Sequence, residues 1–256
     1  MRVIESFSKG LKILEYIVQS GDIKISDAAE HFDMPSSNMT LFFNSLYTEG
    51  YILKNPRKAY SASQKLSLLA EKIKNKNAAI MEACREPMNE LFAAYGEMTL
   101  LGILEQKRVI FIERIQSDKN IRIADDYTTS YIPHVTAAGK AIISAYPETM
   151  IREYVETADL RRFTDKTLIT KKAVLEELMR AKENGYALNR GEYEADIMAV
   201  STAVLDNGIP CASLTVQFPA YRFSENDLVH YAKSLIASAK SASSHLQKNS
   251  KPRSAS

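Results

Sequence analysis

Ser26-Asp-Ala-Ala-Glu-His-Phe-Asp-Met-Pro-Ser-Ser-Asn-Met-Thr-Leu-Phe-Phe-Asn-Ser-Leu-Tyr-Thr-Glu-Gly50 is the stretch that decides how this 256-residue chain is read. Ser26 stands as an N-cap before Asp27-Ala-Ala-Glu-His-Phe32, and acidic residues in that first turn suit the positive end of a helix dipole, so a short helix is expected. Asp33-Met-Pro-Ser36 supplies a turn, and Pro35 can open a second helix that runs to about Glu49 and stops at Gly50. Two short helices joined by a tight turn form the helix-turn-helix pattern, whose second helix sets its N-terminal residues against base edges in the major groove. Helical spacing turns Met39, Phe42, Phe43 and Leu46 inward. It leaves Ser37, Thr40, Leu41, Asn44 and Thr48 on the opposite face, beside Ser36 and Asn38 in the first turn. Most of these hydrogen-bond, which makes Ser36, Ser37, Asn38, Thr40 and Asn44 the candidate DNA contacts.

Toward the N-terminus, Leu11, Ile13, Leu14, Ile17 and Val18 recur at helical spacing, giving an amphipathic helix that ends near Ser20-Gly21. Toward the C-terminus, Tyr51-Ile-Leu-Lys-Asn-Pro-Arg-Lys-Ala-Tyr60 reads as two extended pieces around an Asn-Pro turn, the wing of a winged helix. Arg57 and Lys58 sit at its tip and are expected to touch DNA. From Lys54 to Lys76 the chain carries Lys54, Arg57, Lys58, Lys65, Lys72, Lys74 and Lys76 against Glu71 alone. That bias suits a phosphate backbone, while a solvated helix face accounts for Lys65 to Lys76 equally well.

The length favours two compact units, and 45% hydrophobic with 25% charged residues is ordinary for a globular chain. A formal net charge of +2 is too small for a whole-protein argument about nucleic acid, so any electrostatic footprint must be local. No stretch approaches the roughly 20 apolar residues of a bilayer-spanning helix, and MRVIESFSKG lacks the apolar run of a secretory signal, so a cytoplasmic protein with no membrane partner is expected. Cys84 and Cys211 lie far apart, outside any CxxC pair or zinc-ligand spacing, and read as idle thiols. No metal and no cofactor is expected.

From Ser63 to Ala94 a helical pattern is interrupted only by Pro87, reading as a linker helix that leads to a second helix with a bend near that proline. Met98 to Leu104 and Val109 to Ile115 alternate as a β-hairpin turning at Gln106 to Arg108, with a third strand expected near Ile121 to Ala124. Ala137 to Ala145, Pro147 to Thr157 and Lys171 to Asn184 read as helices, the last capped at Gly185. Met198 to Leu205 and Cys211 to Phe218 are apolar strands around Asn207-Gly208, the strongest short hairpin signal. Ser224 is expected to begin a final helix, with Asp227 in a capping-box-like position, and residues 248 to 256 read as a disordered tail. The fold class is α+β: an N-terminal winged helix-turn-helix at 1–62, a linker helix at 63–80 and a sheet-and-helix domain at 81–247.

Several stretches together resemble the IclR family of bacterial regulators. They are Phe7-Ser-Lys-Gly-Leu-Lys-Ile-Leu14, Met34-Pro-Ser-Ser-Asn-Met39, Leu46-Tyr-Thr-Glu-Gly-Tyr51, Tyr131-Ile-Pro-His-Val-Thr-Ala-Ala-Gly-Lys140, Gly185-Tyr-Ala-Leu-Asn-Arg-Gly-Glu192 and the strands about Asn207-Gly208. The resemblance runs over roughly residues 5 to 247. It implies a GAF-like effector-binding domain, dimer contacts through the linker helix, and a homodimer or tetramer on a palindromic double-stranded operator. It also places the effector contacts. Ala137 and Ala138 would offer helix-opening N–H groups to an anion, a carboxylate being the natural guess. Asn189, Thr215 and Gln217 would face them, with Ile121, Ala124, Ile132 and Ala199 as apolar lining. A small organic or sugar acid fits such a set. The chain departs from the family at Ser36 and Leu41, where a basic residue and an arginine are usual. Leu41 either meets a thymine methyl or marks a winged helix that has lost DNA binding.

Against an enzyme, His31, His134, His230 and His245 are scattered, and HExxH, GxSxG and a Gly-rich phosphate loop are all missing. No catalytic residue is expected. His134 reads as a structural hydrogen-bonder, Cys211 as packing, and Glu192, Glu194 and Asp196 as a solvated strand face. The leading reading is a ligand-responsive DNA-binding regulator, a repressor. The alternatives are an interaction module built on the same winged helix, and an enzyme on the sensor-like domain.

Overall fold

The computed structural model describes residues 3–123 and 130–250, with residues 72–76 and 249–250 described in backbone course alone. The chain divides into two compact units, Met1–Asn77 and Ala78–Ser256.

In the first unit, α1 (Glu5–Ser20), α2 (Ile25–His31) and α3 (Ser36–Thr48) precede a two-stranded antiparallel wing, β1 (Ile52–Lys54) and β2 (Tyr60–Ala62), and then α4 (Gln64–Lys76). Ile13 and Ile17 of α1 meet Ala28 and Ala29 of α2, Met39 and Phe43 of α3, and Ile52 and Tyr60 of the wing in one buried cluster. Phe42 and Leu46 pack against it partly buried, while Leu11 and Val18, which share the spacing of α1, stay about half exposed. Helix α2 starts before the expected Ser26 cap. Its N-cap is Lys24, whose N–H donates to the Asp27 carboxylate at 3.1 Å, and Ser26 Oγ donates to the same carboxylate at 3.0 Å. The acid three residues into the helix takes the orphan donor, so the serine is not needed as a cap. Gly50 ends α3 at φ 74, a left-handed conformation that favours glycine.

In the second unit, α5 (Ala78–Tyr95) begins after Asn77 and runs as one helix through buried Pro87, with the turn from α4 at Asn77. Strands β3 (Met98–Glu105), β4 (Arg108–Ile115), β5 (Ala187–Arg190), β6 (Ile197–Asp206) and β7 (Ile209–Pro219) form one antiparallel sheet in the order β4-β3-β7-β6-β5. Both hairpins turn through paired positive φ angles, at Gln106-Lys107 and Asn207-Gly208. That is the twist a two-residue connection between antiparallel strands requires. The strand expected at Ile121–Ala124 is not formed at Ile121–Ile123, and Ala124 lies outside the described residues. Among the described residues no strand pairs with that segment; the Ile121 carbonyl accepts from the Arg222 guanidinium at 3.0 Å instead. Strand β5 was not foreseen.

Alternation along β7 splits the unit into layers. Ala212, Leu214, Val216 and Phe218 join Met88 and Leu91 of α5 and Leu235, Ala239 and Ala242 of α9 (Leu228–Ser250) in the main core. The intervening Ser213, Thr215 and Gln217 therefore belong to the opposite face. That face is covered by a short 3-10 turn (Pro133–Val135) and α6 (Ala137–Ser144), backed by α7 (Glu148–Thr157) and α8 (Lys171–Asn184). Helix α9 begins at Leu228 after a 3-10 turn at Glu225–Asp227, and Ser224 makes no side-chain cap, contrary to expectation. Residues 248–250 continue α9 where a disordered tail was expected; residues 251–256 lie outside the described residues. Among the described residues no helix is long and apolar enough to cross a membrane.

Candidate functional site

Every residue of α6 is buried, and the helix sits on the sheet so closely to the preceding turn that a Cβ on Gly139 would lie 2.4 Å from Pro133 backbone atoms. Thr136 caps it: its Oγ1 accepts the Gly139 N–H at 3.0 Å and donates to the Pro133 carbonyl at 3.1 Å. The first N–H groups of a helix have no acceptor within it, so Ala137 and Ala138 keep theirs for something else. Both residues open onto a cavity of about 180 Å³ between α6 and the sheet. A concentrated positive dipole end at the wall of a small cavity suits an anionic group.

Six of the expected effector contacts line this cavity: Ala137, Ala138, Asn189, Ala199, Thr215 and Gln217. Three do not. Ile132 is buried ahead of the 3-10 turn and outside the lining, Ile121 is 65% exposed, and Ala124 is outside the described residues. Asn189 also holds the backbone around it. Its Oδ1 accepts the N–H groups of Gly191 and Glu192 at 2.9 Å each, and its Nδ2 donates to the Val135 carbonyl at 3.2 Å. Asn189 is thus chiefly a strut, with one amide N–H left for a ligand. Thr215 Oγ1 lies 2.8 Å from Ser201 Oγ, whose own proton goes to the Leu214 carbonyl. Thr215 therefore donates to Ser201 and shows the cavity an acceptor. Gln217 has no side-chain partner among the described residues and keeps both amide functions.

Sequence reasoning missed the rest of the wall. Leu100, Phe111, Ile123, Tyr131, Tyr193 and Glu194 complete much of it. The aromatics form a contiguous run, Phe111 to Tyr131 at 5.6 Å, Tyr131 to Tyr193 at 5.2 Å and Tyr193 to Phe163 at 4.8 Å between centroids. Among the described residues no Lys or Arg lines the cavity, which leaves the α6 amides as its positive feature.

Behind α6 lie two buried polar groups. His134 Nδ1 sits 3.0 Å from the Tyr154 hydroxyl, and burial, then the Lys140 charge, pushes the imidazole down to about 4. It is the structural hydrogen-bonder expected. Glu192 contradicts its reading as a solvated strand residue: it is buried, and both carboxylate oxygens lie 2.7 Å from Lys140 Nζ. Burial raises the Glu192 pKa, opposed by the lysine. Glu194 and Asp196 are exposed, and no group of residues that could hold a metal ion occurs among the described residues. Burial pushes the Cys84 thiol up to about 12 and Cys211 to about 11, which keeps both protonated and unreactive.

In the first unit, Ser36, Ser37, Asn38 and Asn44 are exposed on α3, while Thr40 is half-buried and donates its hydroxyl to the Ser36 carbonyl at 2.7 Å. Leu41 is 65% exposed and lines a groove with Glu5 and Lys9 of α1 and with Met34 and Phe42. At the wing tip Asn55 Oδ1 accepts the N–H groups of Arg57 and Ala59 at 3.0 Å each, and Asn55 Nδ2 donates to Asp22 at 3.1 Å. The tip is thereby fixed, with Arg57 and Lys58 exposed on it. Of the other basic residues, Lys65 donates to the Glu49 carbonyl at the end of α3, at 2.6 Å, and lies over the Tyr51 ring, while Lys54 lies over Tyr60. Those two serve the fold of the unit.

A winged helix-turn-helix in one unit and a small cavity on a helix-covered sheet in the other define a ligand-responsive transcription regulator. The family model described as bacterial transcriptional regulator IclR C-terminal matches residues 74–244. The HTH-type transcriptional regulator KdgR of Escherichia coli is 25% identical over 245 residues, 95% of this chain and 93% of that protein. The crystal structure of the Thermotoga maritima IclR superposes with a TM-score of 0.80 at 25% identity, covering 95% of this chain and 99% of that one. An IclR homolog from Microbacterium hydrocarbonoxydans, solved in complex with 4-hydroxybenzoate, shares the fold at TM-score 0.75 and 20% identity, over 95% of this chain and 99% of that one. The chain belongs to the IclR family of bacterial transcriptional regulators and is not an enzyme.

Proposed function

We propose that this regulator is a cytoplasmic repressor, a homodimer or tetramer that holds a palindromic operator and changes its grip when a small organic or sugar acid enters the α6 cavity. Residues 1–62 read DNA, residues 63–80 link, and residues 81–247 sense. Ser36, Ser37, Asn38, Thr40 and Asn44 face the bases, with Arg57 and Lys58 on the phosphates. The observation that carries the effector reading is the pair of N–H groups at Ala137 and Ala138, without an acceptor among the described residues and opening onto a cavity whose other polar walls are mostly uncharged. A carboxylate takes the amides, Gln217 takes a hydroxyl or carbonyl group, Thr215 takes a hydroxyl, and Phe111, Tyr131 and Tyr193 take the apolar body. The 4-hydroxybenzoate bound by the Microbacterium homolog is an acid of this kind. The acid acts through its different affinity for two arrangements of the protein, which fixes how far it can shift operator binding.

The test is a thermal-shift panel of monocarboxylates, including 4-hydroxybenzoate, gluconate and pyruvate, followed by operator titration with each acid that raises the melting temperature. At least one stabilising acid is expected, with an operator affinity altered about tenfold, within the usual range of coupling. A second reading rests on Leu41: its exposure in an apolar groove beside α1 favours a winged helix that contacts protein. Duplex binding insensitive to salt, or absent, would favour it.

A further inference from the structure

Lys140 and Glu192 are 52 residues apart, buried, and in contact through both carboxylate oxygens, yet neither lines the cavity. Lys140 stands one turn along α6 from Ala137, so its Nζ is carried by the helix whose start offers the anion-binding amides. Glu192 stands immediately before Tyr193 and Glu194, both of which do line the cavity. The segment around it is held at several points. Asn189 Oδ1 takes the N–H groups of Gly191 and Glu192, Thr164 Oγ1 donates to the Gly191 carbonyl at 2.7 Å, and Thr167 Oγ1 donates to the Glu192 carbonyl at 2.7 Å. Gly191 turns at φ 81, where a Cβ would lie 2.6 Å from the Ala195 carbonyl oxygen. A second acid, Glu177 of α8, lies 3.6 Å from Lys140 and is itself paired with Arg180.

We infer that the Lys140–Glu192 pair is a positioning device for the effector pocket: it clamps the wall bearing Tyr193 and Glu194 against the helix that receives the anion. A buried ion pair contributes little net stability compared with a well-packed apolar pair, but it favours one register, because a displaced Glu192 carboxylate would leave the buried ammonium only Glu177, at 3.6 Å and already paired with Arg180. The wall therefore sits where the helix dictates, and effector affinity depends on two charges that never touch the effector. This rests on the reading of the cavity as the effector site.

The chain contains no tryptophan, so Tyr193→Trp places a single indole reporter in the wall. In that background Glu192→Gln is expected to keep its far-UV circular dichroism and a cooperative melt while the indole emission moves to the red and becomes more open to iodide quenching. Glu192→Asp should restore part of both. Affinity for whichever panel monocarboxylate stabilises the parent should fall about tenfold, with operator affinity in the absence of acid unchanged. If Glu192→Gln fails to fold, the apolar pair Lys140→Met with Glu192→Met replaces it, and the same exposure of the indole is expected. An indole that stays shielded in a folded variant overturns the inference, as does unchanged acid affinity. If no acid stabilises the parent, the effector reading fails, and the indole readout still decides whether the pair positions the wall.

Discussion

The Tyr154 hydroxyl lies 3.0 Å from His134 Nδ1 and accepts the His134 backbone N–H at 3.1 Å. The direction of the Nδ1–hydroxyl bond follows the ring tautomer, and Nε2 is buried without a partner among the described residues. This imidazole is held neutral down to about pH 4 by burial first and by the Lys140 charge second, whereas in the unfolded chain it titrates near 6.5. A depressed histidine means the unfolded state binds the extra proton first. Its contribution to stability is thus fully present above pH 6.5 and is lost as the pH falls toward 4. Between about pH 7 and pH 5 the loss should come to about 2 kcal/mol. Urea unfolding at the two pH values checks this. His134→Gln should flatten that part of the profile, and an unchanged slope would contradict the assignment.

Ala137→Pro removes one of the two candidate effector donors while leaving the helix able to form. Ala137 is the first residue of α6, where proline is well tolerated, and Thr136 before it is already extended, at φ −121 and ψ 146. The expected outcome is a folded protein that has lost about 1.5–3 kcal/mol of affinity for a stabilising carboxylate, the worth of a hydrogen bond to a charged group. Isothermal titration reads it.

Gly139→Ala separates packing from chemistry. The added methyl would meet Pro133 backbone, which cannot swing aside as a side chain can. A cost of about 3 kcal/mol is expected, the upper end for overpacking a buried site, measured by denaturant unfolding. Acid binding should weaken with it, because α6 can yield only by shifting its own start.

On the DNA side, Arg57→Ala should weaken binding to all duplexes alike and lower the salt slope by about one. Asn38→Ala should instead relax preference at particular base pairs, by about 1–3 kcal/mol each. Anisotropy titrations over operator variants and salt concentrations separate the two. Equal effects of Asn38→Ala on every sequence would remove it as a base reader.

What the sequence made legible was local. Pro35 and Gly50 bracket α3, Asn207-Gly208 marks the β6–β7 turn, and Lys171 to Asn184 carries its own periodicity and its own Gly185 stop. Half of the pocket also followed, because residues at the start of α6 and alternate residues of β7 lie at positions set by short-range geometry. The failures share a different cause. β5 is four residues long, too short for alternation to show. Ile121 to Ile123 has strand composition but, among the described residues, no strand beside it to pair with. Glu192 looked solvated because its partner is 52 residues away, and Tyr131 and Tyr193 reach the cavity from loops that only the tertiary fold brings together.

Selection of sheared genomic DNA by the purified protein near physiological salt, read by sequencing, tests whether this regulator binds DNA sequence-specifically. Enrichment of one short palindrome is expected, released or tightened by a stabilising carboxylate. A folded, dimeric protein that enriches no sequence would contradict it, and would make exposed Leu41 the mark of a protein-binding surface.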